Sequence, residues 1–155
     1  MRRMFYAVAL AAVIGATVLL NGWSMSTSAG TGPARISITN REISRVRVDA
    51  GRPGRGVGDM QIVRYNLFNK RVSKKPIGHA DYVCTFVTSG TRSCTATFFT
   101  SKGRIVAGGS IRYPTLYELA ILGGTRLFDN ARGTLTVYRT TRKPRRDRLV
   151  FRLTG

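Results

Sequence analysis

From about residue 34 onward the chain alternates. Apolar and polar side chains change places along ARISITNREI (34–43), GDMQIVRYNLF (58–68), ADYVCTFV (80–87), RSCTATFFT (92–100), RIVAGGSIRY (104–113), ELAILGG (118–124), GTLTVYRT (133–140) and RLVFRLT (148–154). Each run is bounded by Gly, Pro, Asn, Ser or a cluster of charge, and alternation of this period is the signature of a strand with one buried face. No segment after residue 30 keeps a helical period for three turns. Eight short strands at close spacing suit either a sandwich or a closed antiparallel barrel. Tyr65, Phe68, Tyr82, Phe86, Phe98, Phe99, Tyr113, Tyr117, Phe128, Tyr138 and Phe151 are spread over seven segments. That spread favours the barrel, whose eight strands enclose a space that side chains fill or that holds one small ligand.

The first 29 residues follow a different rule. Arg2 and Arg3 precede an apolar run of 16 residues, Phe5 to Leu20, and Thr27-Ser28-Ala29 offers small residues where a signal peptidase cuts. The expectation is a signal peptide over 1–29, with the alternative of an uncleaved anchor. Residues 30–58 then supply an N-terminal strand and a Gly/Arg-rich loop, and 59–155 the remainder of a single domain. The protein is therefore expected to be secreted or associated with the cell envelope.

Export gives the two cysteines a meaning. Cys84 and Cys94 flank a Ser-Gly turn signal and are equidistant from Ser89, so a hairpin centred there sets them opposite each other. In an oxidising compartment that placement predicts a disulfide, against the alternative of two buried free thiols. Charge adds a second constraint. The mature chain would carry about +17, the +19 of the whole sequence less Arg2 and Arg3. The basic residues gather at Arg41 to Arg55, in NKRVSKK (69–75) and in RTTRKPRRDR (139–148), all read as connections. Such a rim attracts polyanions. RTTRKPRRDR has no interleaved aromatic residue, which argues against nucleic acid and leaves an anionic cell-envelope polymer or anionic lipid head groups as the candidate partner.

Several chemistries lack their residues. The loop RVRVDAGRPGRGVGD is not a phosphate cradle, because no GK[ST] follows and the next element is a strand. His79 is the only histidine, so no metal site of the usual ligand set is expected. No GxSxG-type elbow occurs, so hydrolase readings fall away.

GGTRLFDNARG (123–133) resembles the GGTGxFxxARG signature of dirigent proteins and of the bacterial allene oxide cyclase barrel-like group. The likeness extends over about Gly58 to Leu153 and takes in Gly58-Asp59, Pro76-Ile77-Gly78, Cys84 and Cys94. It implies an all-β, eight-stranded antiparallel β-barrel of the allene oxide cyclase-like, calycin-like type. In the motif itself Gly123 and Gly124 permit a sharp corner with close backbone approach, possible at positive φ; Thr125 can bond the turned backbone, and Gly133 lets the next strand start beside a neighbour. Two motif positions differ: Arg126 stands where the family keeps glycine, and Leu127 where dirigent proteins often carry a proton-donating aspartate.

Asn66, Gly78 and Cys84 keep the intervals of twelve and six found in plant allene oxide cyclases. The resemblance implies that Asn66 helps hold a water, with Cys84 and a cavity carboxylate assisting. Glu42 or Asp49 is the expected carboxylate at the mouth. Arg132, in the ARG of the motif, either points into the lumen or is a rim residue partnered by an acid such as Asp129. Asn66, Tyr113 and Arg132 are the expected polar contacts to a ligand. Tyr65, Tyr82, Phe86, Phe98, Tyr113, Tyr117 and Phe128 are the expected wall, as plain core or as a cavity for an amphipathic molecule. The functional expectation is a barrel that takes a small hydrophobic or phenolic molecule without a cofactor, as a cyclase, isomerase or stereocontrolling protein. The other class is a non-enzymatic envelope protein that uses its basic rim.

Overall fold

The computed structural model describes residues 32–154 apart from 52, 55 and 144; the signal peptide expected over 1–29 lies outside them. Among these residues the strands are β1 (Ala34–Val48), β2 (Met60–Phe68), β3 (Gly78–Phe86), β4 (Arg92–Thr100), β5 (Gly103–Ile111), β6 (Leu116–Gly124), β7 (Gly133–Tyr138) and β8 (Asp147–Leu153), with a 3-10 turn at Arg126–Phe128. Each pairs antiparallel with the next, and β8 pairs with β1, so the sheet is a closed up-and-down barrel. Closure gives every strand a neighbour on both sides, although the Arg41–Val48 half of β1 pairs with β2 alone. The expected all-β, eight-stranded antiparallel barrel is the observed one.

Alternation decides what fills it. Val63, Tyr65 and Leu67 of β2, Ala80, Tyr82 and Cys84 of β3, Cys94, Ala96 and Phe98 of β4, and Leu149, Phe151 and Leu153 of β8 are all buried in one core. At about 25 cal/mol per Å² of apolar surface, this inner face supplies most of the stabilisation.

β1 runs five residues further than its alternation suggests. A register shift between Glu42 and Ser44 inserts one residue, and the strand continues through Arg45 and Arg47. Asn40 lies opposite Leu67 and Glu42 opposite Tyr65; beyond the shift, Arg45 lies opposite Val63 and Arg47 opposite Gln61. Cross-strand partners share a face, so the bulge returns Arg45 and Arg47 to the inner face. Arg41 to Val48 is thus strand, not connection.

The β3–β4 hairpin turns where expected, with Val87 and Thr88 donating to the Thr91 carbonyl at 2.9 and 3.1 Å. Cys84 stands opposite Cys94 and the two form a disulfide. The loop after β1 is organised by Asp59, which is buried and accepts from the Gly56 and Ala50 amides at 2.8 and 3.1 Å and from the Arg47 guanidinium. Those backbone and side-chain donors hold its carboxyl down to about 2.

Candidate functional site

The lumen has two chemically different ends. At the end where β6 runs into β7, an apolar cup of about 500 Å³ is lined by Ile36, Ile38, Phe98, Ile105, Phe151 and Leu153. Phe128, buried on the 3-10 turn, and Ile77 complete its wall, and its polar residues are Asn69, Thr100, Ser101 and Lys102. A volume of that size with an apolar lining and a few polar groups is the usual form of a small-molecule site.

The GGTRLFDNARG segment shapes this cup. Thr125 donates its amide to the Arg104 carbonyl at 3.0 Å and accepts from the Arg104 amide through Oγ1 at 3.2 Å. This holds the corner against β5. A Cβ at Gly133, whose φ is 130°, would run into the Arg152 carbonyl oxygen, so β7 starts against β8 only because the residue is glycine. Arg126 adopts a φ of 59°, the left-handed conformation in which the related motif has glycine.

The opposite end is a layer of phenols and charges. The ring of Tyr82 meets those of Tyr65 and Phe98 edge to face at 5.2 and 5.7 Å, and Phe98 meets Phe151 at 5.0 Å. This aromatic ladder joins the phenol layer to the cup. Burial pushes the phenols of Tyr65, Tyr82 and Tyr117 up, so all three stay protonated near neutral pH. Tyr117 interacts with the buried Tyr82 hydroxyl in a geometry that falls short of a hydrogen bond.

Around the phenols stand three inward arginines and two acids. Glu42 takes two hydrogen bonds from Arg45, at 2.9 and 2.6 Å, and that pairing lowers its carboxyl's proton affinity. Arg139 pairs with Asp147 at 3.4 Å, and Asp147 also accepts from the Thr140 amide at 3.2 Å. Arg92 donates to the Oε1 of Gln61 at 2.8 Å.

The expected site residues divide between these places and the outside. Tyr65, Tyr82, Phe86, Phe98, Tyr117 and Phe128 are inside the barrel or on its wall. Glu42 is at the phenol end, on the face it shares with Tyr65. Asn66 is not a lumen residue: its neighbours Tyr65 and Leu67 take the inner face, and a strand cannot present three consecutive side chains inward. Tyr113 is 65% exposed, lies beyond the end of β5 and is stacked by Arg112. Arg132 is exposed and spends its guanidinium on the Leu122 and Ala131 carbonyls, at 2.9 and 3.0 Å. Asp49 accepts from the Gly54 amide within the exposed loop after β1. Cys84 holds no thiol, since it is bonded to Cys94. Gln61, Arg92, Arg139 and Asp147 were not singled out by sequence. Their only signal is an inner-face position, which depends on register rather than on residue type.

No protein-family model matches the sequence, and no curated protein does. Solved structures do. The chain is similar to pyocyanin demethylase, with a TM-score of 0.67 and 26% identity over 78% of this chain and 100% of that one. It is also similar to a pterocarpan synthase dirigent protein, at 0.63 and 16% over 79% and 86%. A third is a nonspecific heme-binding cyclase that catalyses a cycloaddition during neoabyssomicin biosynthesis, at 0.61 and 16% over 84% and 71%. The fold is that of dirigent and cyclase-like barrels.

Proposed function

We propose that the protein holds one small hydrophobic or phenolic molecule in the apolar cup and acts on it, without a cofactor, by fixing a single conformer. The observation that carries this reading is the cup itself: about 500 Å³, walled by Ile, Leu and Phe. Among the described residues, Lys102 is the one titratable side chain that lines it. Such a wall gives little scope for proton transfer and much for orientation, so positioning would supply the rate or the stereochemical bias. The names of the structural neighbours agree in kind. One acts on pyocyanin, one is a dirigent protein and one is a cyclase.

We further infer that the protein works outside the cytoplasm, secreted or held at the envelope, from the leader-like first 29 residues and the Cys84–Cys94 disulfide. The test is native mass spectrometry of the protein made by its own host, with identification of what is bound. A stoichiometric small apolar molecule, absent from an Ile77→Trp variant whose indole fills the cup, is the expected result. The same mass in the filled variant would overturn the reading.

A second reading has its own observation. The basic segments 69–75 and 139–148 meet on one wall, where Arg71 donates to the Lys143 carbonyl and Arg146 to the Lys70 carbonyl, both at 3.2 Å. This gathers cations into one patch suited to an anionic envelope polymer. Such adhesion weakens steeply with ionic strength, whereas cup binding does not.

A further inference from the structure

Of the three inward arginines at the phenol end, two are matched by its acids and one is not. Glu42 is occupied by Arg45 and Asp147 by Arg139, and among the described residues Arg92 has no ion-pair partner. Its partner is the neutral amide of Gln61, itself buried. Arg92 is half-buried on the inner face, in register with Phe86 on one side and Ile111 on the other. Removing a guanidinium from water costs free energy that one neutral hydrogen bond does not recover, so the position calls for an anion.

There is room for one. A pocket of about 320 Å³ opens beside Arg92, lined by Arg45, Arg92 and Arg112 with Gln61, and by Phe86 and Ile111 on its apolar side; among the described residues no carboxylate lines it. Three cations around an apolar floor suit a flat anion, and guanidinium groups bind carboxylates through paired hydrogen bonds. The volume is near the lower limit of ligand pockets, which restricts the body of the ligand to about one ring.

We propose that this pocket binds the carboxylate of a small one-ring aromatic acid, anchored by Arg92, with the ring against Phe86 and Ile111. The site lies at the opposite end of the barrel from the cup and stands whether or not the cup holds a ligand.

Isothermal titration with phenylacetate and with its neutral amide, phenylacetamide, tests this, alongside inorganic phosphate. The acid should bind about tenfold more tightly than the amide. Arg92→Gln should remove that preference, and Arg112→Gln, on the exposed rim, should weaken acid binding while leaving the fold intact. The Ile77→Trp variant should bind phenylacetate as the unmodified protein does, which separates failure here from failure of the cup reading. Amide shifts of Ser89 and Gly90 in the β3–β4 turn should move with phenylacetate in the unmodified protein. Equal affinity for acid and amide, an acid preference that survives in Arg92→Gln, or inorganic phosphate binding as tightly as phenylacetate would each overturn the proposal.

Discussion

Gly124 stands so close to Phe128 that a Cβ on it would lie 2.7 Å from the Phe128 Cβ and 2.6 Å from the Arg104 carbonyl oxygen. The backbone at Gly124 is outside the left-handed region, so the demand for glycine there is close approach and not positive φ. Gly124→Val is expected to cost about 3 kcal/mol or more by overpacking this corner, read as a lowered urea midpoint. A change within about 0.5 kcal/mol would refute the corner as described.

Arg126 tests the same corner in the opposite direction. Its φ of 59° strains a side-chain-bearing residue, at about 1 kcal/mol. Arg126→Gly should raise stability by about that amount, whereas Arg126→Ala, which keeps a Cβ, should not. Equal effects of the two substitutions would mean that the side chain and not the backbone sets the energy.

The disulfide closes a loop with a sequence separation of 10. Loop-closure entropy for that length gives about 2–3 kcal/mol, so reduction should lower the melting temperature by several degrees. An unchanged melt with two titratable thiols in the untreated protein would remove the disulfide from the account.

Asp59 sets an acid limit. Its carboxyl is held near 2, by the Gly56 amide first and then by Arg47 and Ala50, against 3.8 for an ordinary aspartate. A group that ionises more readily in the fold contributes stability above its unfolded value, and that contribution disappears as pH falls through the folded value. Stability should therefore decline between about pH 4 and pH 2. Asp59→Asn should be less stable near neutral pH and lose less on acidification. Parallel pH profiles for the two proteins would contradict the role given to Asp59.

The barrel was legible in the sequence because its signal is repeated eight times, and an error of a residue or two at one strand end changes nothing. ELAILGG marks β6 although the strand starts at Leu116, and ADYVCTFV marks β3 although it starts at Gly78. The disulfide was legible for a related reason: a short hairpin fixes its own register through the turn. The site was not legible to the same degree. Tyr65 and Asn66 are adjacent, and only one of them can face inward, a choice made by β1 and β3 rather than by β2. Arg45 is inside only because one extra residue near Ile43 shifts the alternation. Arg92 reads as a hairpin charge until Ile111 and Phe86 are placed on either side of it. Tyr113 follows Ile111 by two residues and would share its face if β5 continued, but the strand stops there.

Whether the cup binds a ligand can be read from one titration. A neutral alkylphenol such as thymol should bind the purified protein with nearly the same affinity at low and high ionic strength, because the ligand carries no charge for salt to screen. Filling the cup with Ile77→Trp should weaken that binding at least about tenfold without lowering the melting temperature. An affinity that falls steeply with salt, or that survives in the filled variant, would contradict the account and move the protein's function to its basic outer wall.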